Sequence, residues 1–121
     1  MYKYYNANPE GEIANDCVIR AISTALDINY YDILELLYEN SNYFNCDMLV
    51  RQCYEKMLYD EFGLVMFDGI NRTVEEIADY FSDYKVIMRT EGHLTCSKFG
   101  DIYDIWDTSD EIVDVFWLVE P

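Results

Sequence analysis

Tyr84-Lys-Val-Ile-Met-Arg-Thr90, followed by Leu94-Thr-Cys-Ser97, Ile102-Tyr-Asp-Ile-Trp106 and Ile112-Val-Asp-Val-Phe-Trp-Leu-Val119, is a series of short segments rich in β-branched and aromatic residues. Gly92, Gly100 and the polar run Thr108-Ser-Asp110 separate them, which is the pattern of an antiparallel sheet. Upstream the period changes to that of helices. Asn15-Asp16 offers an N-cap to a segment with Val18, Ala21, Ile22 and Ala25 at i, i+3, i+4 and i+7, so a helix is expected over about residues 16–26. Asn29 begins a second helix, with Ile33, Leu36 and Leu37 on one face. A third is expected from Asp47 or nearby to a stop near Gly63, and Thr73-Val-Glu-Glu76 has the capping-box form that opens a fourth. Helices first and strands afterwards indicate an α+β fold, since a doubly wound α/β fold would alternate them.

The chain has 121 residues, with 8 Lys+Arg against 24 Asp+Glu and a formal net charge of −16. That length suits one domain, residues 1–121, and no repeat or Gly/Ser/Pro linker divides it. Hydrophobic residues make up 51% and aromatic residues 17%, which excludes an acidic disordered tail. So negative a protein repels phosphate backbones and anionic membranes, so neither nucleic acid nor membrane is expected as a partner. A peptide or protein substrate, or a basic protein partner, fits the charge. No apolar run long enough to span a bilayer occurs, and Met1 to Glu10 lack the apolar stretch of a secretory signal, so a cytoplasmic location is expected. In that compartment Cys17, Cys46, Cys53 and Cys96, irregularly spaced, are expected as free thiols.

Cys17 falls in the first turn of the first expected helix. Unpaired N–H groups and the positive end of the helix dipole stabilise a thiolate there, although Asp16 and the overall charge oppose it. A free cysteine is also a small hydrophobe that is commonly buried, so position alone does not make it a nucleophile. His93, the single histidine, begins an expected strand. If Lys98-Phe-Gly-Asp101 holds the hairpin turn, short loops pair residues whose numbers sum to about 198–200. His93 then faces residue 105, 106 or 107. Asp107 is opposite or one step along, about 5 Å away, where a carboxylate orients the imidazole and favours its protonated form. Asp104 is the rival, and because 104 and 107 differ by an odd number, only one of them can share the face of His93. Cys17, His93 and Asp107 form a candidate cysteine–histidine–carboxylate triad.

Two blocks carry a family resemblance. Asn15-Asp-Cys-Val-Ile-Arg-Ala-Ile-Ser-Thr-Ala25, and Gly92-His-Leu-Thr95 followed by Gly100-Asp-Ile-Tyr-Asp-Ile-Trp-Asp-Thr-Ser109, resemble the signatures of small papain-like cysteine peptidase-like proteins of bacteria and bacteriophages. The resemblance implies a compact papain-like α+β fold in a bacterial or phage-infected cell, needing no cofactor and no metal. It also implies a peptidase or amidase with Cys17 as nucleophile, His93 as general base and Asp107 as orienter. The chain departs from the papain pattern at one point: a glutamine commonly stands six positions before that family's cysteine, and here the position is Gly11. Asn15 is the amide left to serve the oxyanion, unless it caps the helix.

Other residues admit plainer readings. Arg20, one turn after Cys17, is expected to pair with an acid and orient the helix rather than to snorkel to solvent. His93, Cys96, Cys46 and Cys53 do not make a zinc site, because Cys-x₆-Cys is not a zinc-knuckle spacing and alternation separates His93 from Cys96. The twelve tyrosines read as a half-buried surround for a small core. The alternative is an acidic, tyrosine-studded surface for a basic partner, as in a phage-type inhibitor that imitates DNA, on the same fold without catalysis.

Overall fold

The computed structural model describes residues 1–120; Pro121, the last residue of the expected domain, lies outside them. In chain order the elements are β1 (Tyr2–Tyr4), α1 (Cys17–Leu26), α2 (Tyr30–Phe44), α3 (Arg51–Phe62), β2 (Met66–Asp68) and α4 (Val74–Tyr80). β3 (Lys85–Thr90), β4 (His93–Lys98), β5 (Asp101–Asp104) and β6 (Val115–Val119) follow. The fold is α+β, and its sheet is mixed, in the order β1-β5-β4-β3-β6-β2.

The four strands expected from composition form the antiparallel centre of the sheet. The two edge strands come from segments of three residues, too short to show a period in sequence. β1 pairs parallel to β5, and β2 pairs antiparallel to β6. Alternation along the central strands sorts side chains to two cores. Ile87, Leu94, Cys96, Trp117 and Val119 pack with Val18, Ile22, Leu37 and Met57 of α1–α3. Val86, Met88 and Phe116 pack with Val74 and Ile77 of α4 on the other face.

The helix boundaries follow their caps. The Asn29 side chain accepts from the Tyr31 N–H at 2.8 Å, and α4 starts with a complete capping box between Thr73 and Glu76. Gly63, at φ 65°, ends α3 in the left-handed conformation that glycine adopts at least cost. α3 starts at Arg51, later than the expected Asp47, because the Asp47 carboxylate accepts from the Leu49 N–H in a local turn.

Register brings the site to one end of the sheet. Arg89 pairs with Val115, Asp68 with Val115, and Thr90 with His93. The ends of β2, β3 and β5 therefore meet the starts of β4 and β6. Gly69 closes this end beside β6. A Cβ there would lie 2.1 Å from the Val113 carbonyl oxygen, so only glycine fits.

Candidate active site

α1 delivers Cys17 to that end of the sheet. Asp16 occupies the N-cap position but makes no side-chain cap. Its carboxylate is engaged elsewhere: Oδ1 accepts from Arg20 Nε at 2.6 Å, and Oδ2 accepts from the Tyr30 hydroxyl at 2.7 Å and Asn8 Nδ2 at 3.0 Å. Burial pushes the Asp16 carboxyl up, but these three donors outweigh it and hold it below the usual range. Arg20 continues the chain of contacts through Nη1, which donates to Asp104 Oδ1 at 3.1 Å. Arg20 thus has the structural role expected of it, with two carboxylate partners.

Asp104 is the residue that reaches His93. Its Oδ2 lies 2.7 Å from His93 Nε2, and it is only 4% exposed. Oδ1 also accepts from the Ile105 N–H at 2.7 Å. Asp107, expected as the orienter, is exposed and instead accepts from the Ser109 N–H at 3.0 Å and from the Ser109 hydroxyl. The correction follows from one unit of register. The hairpin loop is the two-residue Phe99-Gly100, both at positive φ, and its pairs are Lys98↔Asp101, Ser97↔Ile102 and Cys96↔Tyr103. Each pair sums to 199, so an odd-numbered residue on β4 shares a face with even-numbered ones beyond the turn. The Trp106 ring, opposite by this count, sits 5.1 Å from the His93 ring. Asp104 comes in diagonally on the same parity, and Asp107 has the wrong one.

With Nε2 held by Asp104, Nδ1 is the ring nitrogen left for the Cys17 thiol. Burial lowers the affinity of His93 for a proton, but its hydrogen bond to Asp104 and the neighbouring Cys17 thiol more than reverse this and raise its pKa to about 9. Burial pushes Cys17 up, while His93, the Leu94 backbone amide and Arg20 together bring it below an ordinary thiol. Asp104 is pushed up by burial and brought below the usual carboxylate range chiefly by His93 and Thr95. All three shifts favour a thiolate–imidazolium pair backed by a carboxylate. Cys17, half-buried, opens onto a groove of about 820 Å³ that Asn15, His93 and Tyr54 also line. Cys17 is the first residue of α1, and the first-turn N–H groups there carry no side-chain cap. Gly11, exposed and at φ 68°, offers no amide side chain, whereas Asn15, two residues before Cys17, lines the groove, as does Asn71.

The other cysteines lie apart. Cys46 and Cys53 form a disulfide with Cα atoms 5.7 Å apart, which corrects the expectation that all four thiols are free. The left-handed turn at Asn45, the C-cap of α2, folds the chain back so that Cys46 meets α3. Cys96 is a free, buried thiol whose pKa burial pushes up to about 12. Among the described residues no three His, Cys, Asp or Glu side chains are grouped to hold a metal ion, and no helix is long and apolar enough to cross a membrane.

Fold and site together define an α+β domain with a Cys–His–Asp line at a groove. Comparison with known proteins finds no matching family model, no similar curated protein and no similar solved structure.

Proposed function

We propose that the chain is a cysteine hydrolase of papain-like fold, a peptidase or amidase, with Cys17 as nucleophile, His93 as general base and acid, and Asp104 as the group that orients His93. The observation that carries this reading is the His93 Nε2 to Asp104 Oδ2 contact of 2.7 Å, beside a thiol whose proton His93 and its surroundings draw away. Helices ahead of the antiparallel centre of a mixed sheet, with the cysteine at a helix start and the histidine at a strand start, support the papain-like arrangement.

The chemistry runs in two stages. The Cys17 thiolate attacks a carbonyl carbon, and the oxyanion that forms takes hydrogen bonds from the first-turn N–H groups of α1 and from Asn15. His93 gives its proton to the leaving amine as the C–N bond breaks, leaving an acyl thioester on Cys17. Water then attacks the thioester while His93 takes a proton from it, releasing acid and restoring the thiolate–imidazolium pair. Asp104 keeps one tautomer and supports the imidazolium throughout.

The test is digestion of unfolded proteins and peptide amides, read by mass spectrometry. New termini or released acid in the wild type, lost in Cys17→Ala and His93→Ala, are expected. Products that persist in Cys17→Ala, or no products together with a Cys17 that alkylates no faster than an ordinary thiol, overturn the reading.

One observation favours a second reading, an acidic module for a basic protein partner. The tyrosines do not all form the expected half-buried surround: Tyr43 is 83% exposed and Tyr80 74%, on a chain of net charge −16. A complex with a basic protein that weakens with salt and is unchanged in Cys17→Ala supports that reading; one lost in Cys17→Ala contradicts it.

A further inference from the structure

The proposed chemistry leaves two buried charged side chains without a part in it. Arg20 is 7% exposed and Asp16 5%, and neither lines the groove at Cys17. Desolvating a guanidinium is costly, and apolar side chains of similar volume commonly serve stability as well as a buried ion pair does, so stability alone is a weak reason for Arg20 to be there. Its two contacts run to opposite sides of the site. Nε donates to Asp16 Oδ1 at 2.6 Å, and Nη1 donates to Asp104 Oδ1, on β5, at 3.1 Å. Asp16 directly precedes Cys17, and the other Asp104 oxygen lies 2.7 Å from His93 Nε2. One planar guanidinium thus joins the residue beside the nucleophile to the carboxylate on the histidine.

Both ends of this link are anchored. Asp16 Oδ2 accepts from the Tyr30 hydroxyl at 2.7 Å and from Asn8 Nδ2 at 3.0 Å, and Asp104 Oδ1 accepts from the Ile105 N–H at 2.7 Å. The terminal torsion of an aspartate is broad and two-fold, so an unheld carboxylate presents either oxygen to a neighbour. With Oδ1 taken by Arg20 and Ile105, Oδ2 is the oxygen turned to His93. Asp16 creates a second need, because a carboxylate next to Cys17 in the chain opposes a thiolate, and Arg20 pairs with that carboxylate at hydrogen-bond distance.

Resting on the reading of Cys17, His93 and Asp104 as the reacting line, we propose that Arg20 is a positioning residue for that site, which grips Asp16 and Asp104 at once. Through Asp104 it fixes the carboxylate oxygen on His93 Nε2, so that Nδ1 is the ring nitrogen presented to Cys17. Through Asp16 it answers the negative charge beside the nucleophile. The role needs the arginine fork, whose donors reach two carboxylates from one plane; a lysine ammonium is a point charge on a flexible stem and serves one of them. The titratable groups that line the groove itself are Arg51 and Tyr54 on α3, Asp68, Arg89, Glu91 and Asp114, and a change at Arg20 leaves all of them in place.

The experiment reads Cys17 and His93 separately and requires no turnover. Iodoacetamide modification of Cys17 at about pH 6.5 is expected to be about tenfold slower in Arg20→Gln and about threefold slower in Arg20→Lys, which keeps the charge and loses the fork. Ile77→Ala opens a cavity in the core on the other face of the sheet, so it is expected to lose stability with the rate unchanged. His93 is the single histidine, which makes its ring nitrogens directly readable by nitrogen NMR. In Cys17→Ala at alkaline pH the ring proton is expected on Nε2, and in Cys17→Ala/Arg20→Lys it is expected to be shared between the two nitrogens. An Arg20→Lys variant with the wild-type rate and an unmoved tautomer overturns the proposal, whether or not Arg20→Gln folds. Equal slowing in Ile77→Ala assigns the effect to lost stability and overturns it too. A wild-type Cys17 that alkylates no faster than an ordinary thiol overturns the underlying reading instead.

Discussion

α1 and α4 both begin beside the sheet, one on each face, and they begin in opposite ways. α4 closes its first turn with the Thr73–Glu76 capping box, and its Val74 and Glu75 N–H groups donate to the Glu111 and Ser109 carbonyls, so its first-turn N–H groups are satisfied within the protein. α1 has an aspartate at the same position but spends it on Arg20, Tyr30 and Asn8. Its N–H groups are left without a side-chain cap beside Cys17. A helix start that serves stability is capped; the one proposed to serve chemistry keeps its donors for an oxyanion.

The contrast is sharpest in the carboxylate proposed to orient His93. On the proposed reading, Asp104→Asn should lower kcat/KM by about 10³-fold or more, since an amide on Nε2 supports the wrong tautomer and no longer stabilises the imidazolium. Asp107→Asn should change it by less than about twofold. Equal effects in the two variants would erase the distinction between them.

The next effect is on stability. Arg20→Ala leaves Asp16 buried without its cation and Asp104 with His93 alone, and should cost about 3–5 kcal/mol in urea unfolding. Thr73→Ala, at the start of α4, should cost about 1 kcal/mol and leave the alkylation rate of Cys17 unchanged. A Thr73→Ala variant as damaged as Arg20→Ala would break the comparison.

Smaller still is the pH dependence. The raised pKa of His93 contributes stability that is complete below its unfolded value of about 6.5 and is lost as pH rises toward the folded value. The lowered pKa of Cys17 acts in the opposite direction, adding stability as pH rises toward that of an unfolded thiol. Cys17→Ala removes that offset, so its unfolding free energy should fall as pH rises above about 6.5. The slope should vanish in Cys17→Ala/His93→Gln. A slope that survives in the double variant assigns it to other groups.

Much of this was legible in the sequence. Period and composition gave the four helices and the central antiparallel strands, because each is long enough to show its own pattern. The edge strands were not, since Tyr2–Tyr4 and Met66–Asp68 are strands only by virtue of the neighbours they pair with. Cys17 and His93 could be singled out from a helix start and a lone histidine. The choice of Asp104 over Asp107 turned on the loop having two residues, because Lys98-Phe-Gly-Asp101 is compatible with two- and three-residue loops alike and only the pairing fixes the sum at 199. The Asp16–Arg20–Asp104 link joins residues 84 apart at its far contact, a distance over which no local pattern carries information. The Cys46–Cys53 disulfide was hidden for a different reason: the expectation came from compartment, and the turn after α2 that joins them has no signature in their spacing.

The central claim is that His93 holds Cys17 as a thiolate. The rate of iodoacetamide modification of Cys17 against pH, in the wild type and in His93→Ala, tests it most directly. The account predicts a wild-type midpoint well below the ordinary thiol value of about 8.5, a shift upward in His93→Ala, and modification at pH 6.5 at least about tenfold slower in the variant. A wild-type midpoint at or above that of an ordinary thiol, unmoved by His93→Ala, would contradict it.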